Sequence, residues 1–188
     1  MKLTTMILKA IPAIAALLLA VPLSASAEGN ATLPGGASSV RETYDDWMVS
    51  CATSQEKDKP ATKICTIAQE QADAQSRRRV LLVQLLPGKG SAKATLVLPF
   101  GLDIQKGVTL QLDDGKAGAA QRFLTCYEIG CVVELTLDSA TLASYNKGKQ
   151  LKINVTAAST DGTGKEASFA VSLKGFQTAY NRAVELAK

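Results

Sequence analysis

Histidine is absent from the 188 residues of this sequence, and aromatic residues are few. Without histidine, neither a Ser-His-Asp nor a Cys-His catalytic arrangement can form, and the usual zinc ligand is missing. One tryptophan, four tyrosines and four phenylalanines offer few of the aromatic platforms that a sugar-cleaving site uses. The sequence therefore predicts a protein that is not an enzyme, with no catalytic residue, no metal site and no cofactor.

Two pairs of adjacent carboxylates, Asp45-Asp46 and Asp113-Asp114, are the remaining candidates for acid–base chemistry. Neighbouring residues on a strand point to opposite faces, so neither pair can flank one sugar bond from a strand. Asp113 and Asp114 are also followed by glycine, which is typical of a turn. We interpret both pairs as structural.

The first residues have the pattern of a secretory signal peptide over residues 1–27. Lys2 and Lys9 precede an apolar run, and Ala25-Ser26-Ala27 supplies a small-residue cleavage site. A membrane anchor is the alternative, but the apolar run is shorter than a spanning helix and contains two prolines. We expect a periplasmic or envelope protein of bacterial origin, or a secreted one, with no transmembrane segment after cleavage.

The rest of the chain is long enough for a single core. We expect a flexible leader over residues 28–40, where glycine, serine, alanine and proline dominate, and one domain over residues 41–188. Loss of Lys2 and Lys9 with the signal lowers the net charge from +4 to +2. A charge this small gives no indication of a nucleic-acid partner.

Four cysteines, an even number, indicate two disulfides in an exported protein. Three pairings are possible. The sequential pairing, Cys51 with Cys65 and Cys126 with Cys131, is favoured because each pair brackets a polar insert that can close a hairpin. A redox or metal site is the alternative, but no pair has the two-residue spacing of a dithiol motif.

Apolar residues recur at every second position in several segments, which is typical of half-buried strands. Val108, Leu110 and Leu112 are one example, and similar alternation occurs around residues 133–137, 151–155 and 169–173. The nearly continuous apolar run at residues 80–86 predicts a more deeply buried strand. Turn-forming sequences separate the segments. We predict a mostly β protein, an antiparallel sandwich of eight or nine short strands, with a closed barrel as the alternative.

Two helices are predicted besides the strands. A short one follows Asp138, which can cap residues 139–145, and a C-terminal one runs from about residue 176 to residue 187. The apolar face of the second helix is predicted to pack on the protein's own sheet. That face comprises Phe176, Tyr180, Ala183, Val184 and Ala187.

Arginine is concentrated at one point, the run Arg77-Arg78-Arg79, which contains half of the six arginines. In an extended strand, Arg77 and Arg79 would share a face and could contact an anionic ligand such as a lipid or lipopolysaccharide. The simpler interpretation is a solvated strand edge that discourages aggregation.

Residues 44–180 resemble the invasion-associated locus B proteins of alphaproteobacteria. The resemblance rests on several short motifs taken together, since each alone is weak. They are Asp46-Trp47-Met48-Val49-Ser50-Cys51, Cys65-Thr66-Ile67, Leu98-Pro99-Phe100-Gly101, Gly107-Val108-Thr109-Leu110, Phe123-Leu124-Thr125-Cys126, Gly130-Cys131 and Ser172-Leu173-Lys174-Gly175-Phe176.

The resemblance implies an exported, virulence-associated protein of the cell envelope and supplies no catalytic residues. Together with the export signal and the cysteines, it favours a non-catalytic protein that binds an envelope component or a host surface. A periplasmic chaperone or a cryptic enzyme is the alternative. The identity of the partner and the oligomeric state are not predicted by any feature of the sequence.

Overall fold

The computed structural model describes residues 32–55, 57, 59–161 and 163–188. The predicted signal peptide lies outside these residues. In the described part the chain forms ten strands and two α-helices, preceded by a short 3-10 helix at Pro34–Gly36. The elements are β1 (Ser39–Tyr44), β2 (Trp47–Ser54), β3 (Thr62–Ala72), β4 (Arg79–Pro87), β5 (Ser91–Leu98), β6 (Thr109–Leu112), β7 (Thr125–Tyr127), β8 (Gly130–Asp138), α1 (Ser139–Tyr145), β9 (Gln150–Thr156), β10 (Glu166–Ser172) and α2 (Phe176–Leu186).

The strands form two antiparallel sheets of unequal size. Seven strands follow the order β1-β2-β3-β4-β5-β8-β7, and three follow the order β10-β9-β6. The core lies between the inner face of the large sheet and a layer made of the small sheet and α2. The predicted mostly β, sandwich-like fold with two helices is confirmed, with ten strands in the described part rather than the eight or nine predicted.

Strands and helices that were predicted from local sequence patterns lie at the expected positions. The alternating segments form β6, β8, β9 and β10. Helix α1 begins after Asp138, whose side chain accepts a hydrogen bond of 2.7 Å from the backbone N–H of Thr141. This bond satisfies one of the amides left unpaired at a helix start. Hydrogen bonds from the side chain and from the backbone N–H of Thr141 hold the pKa of Asp138 below its usual range.

Side chains of the large sheet bond directly to the last strand of the small sheet. The Gln69 side chain donates to the Ser172 carbonyl over 2.9 Å and accepts from the Ser172 N–H over 3.1 Å. The indole N–H of Trp47 donates to the same carbonyl over 2.9 Å. Trp47 is fully buried and makes an edge contact with the ring of Phe176. These bonds fix the small sheet and the start of α2 against the core.

Helix α2 packs on the large sheet through a narrower stripe than the one predicted. Its buried residues are Phe176, Ala179, Ala183 and Leu186, whereas Ala187 is exposed. The small side chains of the two alanines let the helix approach the sheet closely. The predicted face is therefore wrong at its C-terminal end, because the position of the sheet rather than the helix pattern selects the buried stripe.

Two further expectations differ from the structure. Leu33, in the predicted leader, is buried in the core, and β1 begins at Ser39, so the described part of that segment packs on the domain. Strand β4 is not buried on both faces. Leu81, Val83 and Leu85 point to the core, while Leu86 on the opposite face is 41 % exposed.

Both disulfides occur in the sequential pairing, Cys51 with Cys65 and Cys126 with Cys131. In each pair the cysteines lie directly opposite one another on neighbouring antiparallel strands. None of the described helices has the length and apolar content needed to cross a membrane.

Candidate functional site

The large sheet has an outer face that neither the small sheet nor the helices cover. Because side chains alternate along each strand, every residue that points away from the core contributes to this face. The register aligns outward residues in rows across the strands. The central row contains Ser50, Thr66, Leu86, Lys93 and Thr136, and the adjacent row contains Met48, Ala68, Gln84, Thr95 and Glu134.

Two adjoining depressions of about 490 and 650 Å³ run along this face and share Ile64, Thr66 and Gln84. We call them together the outer groove. Strands β1 and β2 line one end of the groove, and β5 and β8 line the other. The groove is open along its length, so it suits an extended or broad partner better than an enclosed small molecule.

The outer groove combines apolar, neutral polar and charged side chains. Ile64 and Leu86 are 48 % and 41 % exposed, although both lie in the middle of a sheet. The Gln84 side chain donates to the Thr66 hydroxyl over 3.4 Å, a weak bond that a partner can replace. Charges lie toward the two ends of the groove, at Arg41 and at Lys93 with Glu134.

Acid–base chemistry has little support in this groove. Of the described residues that line it, Glu134 alone carries a carboxylate. The carboxyl groups whose pKa is held at about 2 lie elsewhere and have structural causes. Glu42 bonds to Arg182 and Tyr44, and Asp161 bonds to Ser159 and Thr163. The arrangement is suited to holding a partner by surface contacts.

Both adjacent carboxylate pairs lie in turns, which the sequence predicted for Asp113-Asp114 only. Asp45 has a positive φ of 49° and pairs with Lys174 over 3.1 Å. Asp113 accepts backbone hydrogen bonds at the start of β9, and Asp114 pairs with Lys152 over 3.0 Å. Neither aspartate of the second pair lines the outer groove.

The arginine run is not extended, so the expected shared face of Arg77 and Arg79 is wrong. Arg77 has a positive φ of 58° and closes a turn with Asp73. Arg79 begins β4, pairs with Glu70 over 3.6 Å and donates to the Ile129 carbonyl over 3.4 Å. The bulge between Gln71 and Ala72 and the turn before β4 set these directions, and strand alternation does not predict either one.

An exposed group of apolar residues near Arg79 is not among the sites predicted from the sequence. We call it the apolar rim: Phe100, Leu124, Tyr127 and Ile129, which are 57–61 % exposed. These residues flank the Cys126–Cys131 hairpin and the end of β5, whose last residue pairs with Cys131. The available sequence signal was that two large apolar residues, Tyr127 and Ile129, lie in the short insert between Cys126 and Cys131.

Comparison with known proteins shows the family to which this chain belongs. The family model described as invasion associated locus B (IalB) protein matches residues 47–184. The chain belongs to the invasion-associated locus B family. The matched region runs from the first residue of β2 into α2 and includes all four cysteines, so it confirms the resemblance stated from the sequence motifs.

Named relatives within the IalB family agree with this assignment. An invasion protein B homolog of Brucella abortus (strain 2308) is 40 % identical over 159 residues, covering 84 % of this chain and 87 % of the relative. Invasion protein B of Bartonella bacilliformis is 35 % identical over 158 residues, covering 84 % and 82 %. A crystal structure of invasion associated protein b from Bartonella henselae matches with a TM-score of 0.68 at 30 % identity, over 78 % of this chain and 96 % of that chain.

The family assignment covers most of the outer groove. The groove-lining residues on β2, β3, β4, β5 and β8 fall within the region that the IalB model matches, whereas those on β1 precede it. The turn at residues 73–78, which we call the arginine turn, and the apolar rim also lie within the matched region. The rim, the arginine turn and most of the outer groove therefore belong to the part of the chain that the family model matches.

Proposed function

We propose that this IalB-family protein is exported and non-catalytic, and that it binds another component of the cell envelope or a host surface through the outer groove. We place it in the periplasm or elsewhere in the envelope, after removal of residues 1–27. The signal-peptide pattern and the two disulfides support a location outside the cytoplasm. The names of the relatives connect the family with invasion.

The observation that carries the proposal is the exposure of apolar side chains in the centre of a sheet face. An antiparallel sheet commonly packs one face on the core and exposes a polar face to solvent. The inner face of the large sheet already packs on the core, so its outer face needs no apolar residues for folding. Ile64 and Leu86 nevertheless remain exposed within the outer groove, surrounded by hydroxyl and amide groups. Exposed apolar patches rimmed by polar residues are typical of interaction surfaces.

Binding accounts for the groove better than catalysis does. The groove supplies one carboxylate, and the chain has no histidine that could act as a general base beside it. It supplies instead several hydroxyls, an amide and separated charges, which can form hydrogen bonds with a large partner over a broad area. We infer a macromolecular partner.

Photo-crosslinking from single positions tests this proposal. A photoreactive residue at Thr95 lies within the outer groove, and one at Ser168 lies on the outer face of the small sheet as a matched control. We expect one discrete crosslinked species from Thr95 in intact cells and none from Ser168. Equal crosslinking from the two positions contradicts the proposal, and substrate turnover that disappears in Glu134→Gln favours an enzyme instead.

A further inference from the structure

The apolar rim and the arginine turn form a second surface, separate from the outer groove. The register places Leu98 opposite Cys131 and Tyr127 opposite Gly130, so Phe100, Tyr127 and Ile129 lie at the same end of the large sheet. The Cys126–Cys131 disulfide closes the hairpin that carries two of them. All four rim side chains are more than half exposed, so they present apolar atoms outward.

Hydrogen bonds place the arginine turn beside this rim. The Asp73 N–H donates to the Arg78 carbonyl over 2.8 Å, and the Arg77 N–H donates to the Asp73 carbonyl over 2.9 Å. Arg79 then connects the turn to the hairpin by donating to the carbonyl of Ile129. The turn at residues 73–78 is therefore held next to the rim.

The charges around the rim favour an anionic partner. Glu70 is paired with Arg79, and the Asp73 carboxylate accepts the N–H groups of Gln75 and Ser76. Among the described residues of the rim and the turn, the exposed side chains that form no ion pair are three cations, Arg77, Arg78 and Arg122, and two carboxylates, Asp73 and Glu128. The cations therefore exceed the carboxylates by one charge.

We propose that the apolar rim and the arginine turn dock the protein on the surface of an anionic phospholipid bilayer. Phe100, Leu124 and Ile129 enter the boundary between headgroups and acyl chains, and Tyr127 lies at the level of the headgroups, where its ring and hydroxyl meet both environments. Arg77 and Arg78 bind lipid phosphates. An outward-pointing apolar hairpin end with flanking arginines fits this interface better than it fits a groove on a protein.

Vesicle co-sedimentation of the exported, oxidised protein tests the proposal. We expect binding to vesicles of equal parts phosphatidylglycerol and phosphatidylcholine at low salt, and weak binding to phosphatidylcholine alone. The double variant Phe100→Ser/Ile129→Ser removes apolar contact and should lower the partition coefficient about tenfold. The double variant Arg77→Gln/Arg78→Gln should lower it about threefold to tenfold and reduce its salt dependence.

Matched controls distinguish binding through the rim from nonspecific binding to vesicles. Ile64→Ser/Leu86→Ser removes exposed apolar groups from the outer groove, and Lys89→Gln/Lys116→Gln removes two exposed cations elsewhere. Neither control should change vesicle binding. Tyr127→Trp adds a reporter, and its fluorescence emission should shift to the blue on anionic vesicles, whereas Trp47 in the core is already shielded from water.

The proposal is wrong if the wild type does not bind anionic vesicles at low salt, or if it binds neutral vesicles equally well. It is also wrong if the protein binds lipopolysaccharide but not phospholipid, or if the control variants lose as much vesicle binding as the rim and arginine variants. If the protein alone sediments as a dimer that Phe100→Ser/Ile129→Ser dissociates, the rim is an interface between copies and the proposal is wrong. The wild-type, neutral-vesicle, lipopolysaccharide and dimer outcomes do not depend on what the outer groove binds.

Discussion

At the scale of single residues, Gln69 is unusual because its side-chain amide bonds to the backbone of Ser172 as a neighbouring strand would. It is 8 % exposed and bonds to both backbone groups of Ser172. A buried amide with both bonds satisfied stabilises the fold, whereas a lost partner leaves polar groups unpaired. The contact between the two sheets therefore depends on side-chain hydrogen bonds, those of Gln69 among them, as well as on apolar packing.

Replacing this side chain gives the first prediction. Gln69→Leu should lower the free energy of unfolding by about 1–3 kcal/mol, since it removes two buried hydrogen bonds. Urea denaturation measures the change. Gln84→Leu is the matched control, because Gln84 lies in the open groove and makes only a weak bond of 3.4 Å. Equal effects of the two substitutions would contradict the assigned role of Gln69.

The ion pair between β1 and α2 predicts how stability depends on pH. Bonds from Arg182 and from Tyr44 hold the pKa of Glu42 at about 2, below its ordinary 4.5. A lowered pKa stabilises the fold above pH 4.5, and this contribution is lost as the pH falls from 4.5 toward 2. The side chains of Glu42 and Arg182 are 28 % and 26 % exposed, so solvent limits the contribution to about 1–2 kcal/mol.

Thermal unfolding of Glu42→Gln between pH 2 and pH 6 measures this contribution. Relative to the wild type, the variant should be destabilised near pH 6, and the difference should shrink as the pH falls toward 2. Glu185→Gln is the control, because Glu185 also contacts Arg182 but is 66 % exposed. A difference that stays constant with pH would show that Glu42 does not act through its charge.

Gly175 is a residue where both conformation and space demand glycine. Its φ is 81°, and a Cβ there would overlap the carbonyl of Tyr44. Gly101 has a similar φ of 85° with open space around it, so Gly101→Ala is the control for backbone strain alone. We expect Gly101→Ala to cost about 1 kcal/mol of stability and Gly175→Ala to cost more, because the start of α2 must also move. Equal costs in urea denaturation would exclude the close approach as a cause.

At the scale of elements, the two disulfides differ in the length of chain that they close. The cysteines are 14 residues apart in one pair and 5 in the other. Chain entropy predicts that Cys51→Ala/Cys65→Ala costs about 3 kcal/mol and Cys126→Ala/Cys131→Ala about 2 kcal/mol. Both cysteines of the longer loop are also buried, whereas Cys126 is exposed. Urea denaturation of the two double variants should preserve this order, and the reverse order would contradict it.

The elements that the sequence predicts well are those with a local cause. Alternating residues form β9 and β10, and Asp138 caps α1 at the expected position. The burial of Leu33 and the buried stripe of α2 depend instead on distant packing, so no local pattern encodes them. The exposure of Leu86 is a similar case, because a continuous apolar run does not reveal which face of its strand stays open.

The candidate sites likewise combine features that local sequence reveals with features that depend on distant packing. The sequence reveals the concentration of arginines, but the turn that directs Arg77 away from Arg79 results from a bulge in the β3–β4 pairing. The outer groove combines residues from β1, β2, β3, β4, β5 and β8, which only the sheet order brings together. Prediction of either surface therefore needs the topology, which local sequence patterns do not specify.

At the scale of the whole molecule, the unequal size of the two sheets is the feature that connects fold and function. The inner face of the seven-stranded sheet is covered by three strands and α2, and its outer face carries the groove. The arginine turn and the apolar rim lie at one end of that same sheet. A protein docked through the rim would thus keep the groove accessible along the sheet.

The central claim is that the outer groove binds a partner. Its most direct test compares how much of the partner is crosslinked in cells to the wild type, to a groove variant and to a control variant. Thr66→Lys/Thr95→Lys places two bulky charges in the outer groove, and Ser168→Lys places one on the outer face of the small sheet. We predict that the groove variant loses the partner that the wild type retains, with unchanged circular dichroism, and that Ser168→Lys retains it. Equal recovery of that partner with the groove variant and the wild type would contradict the account.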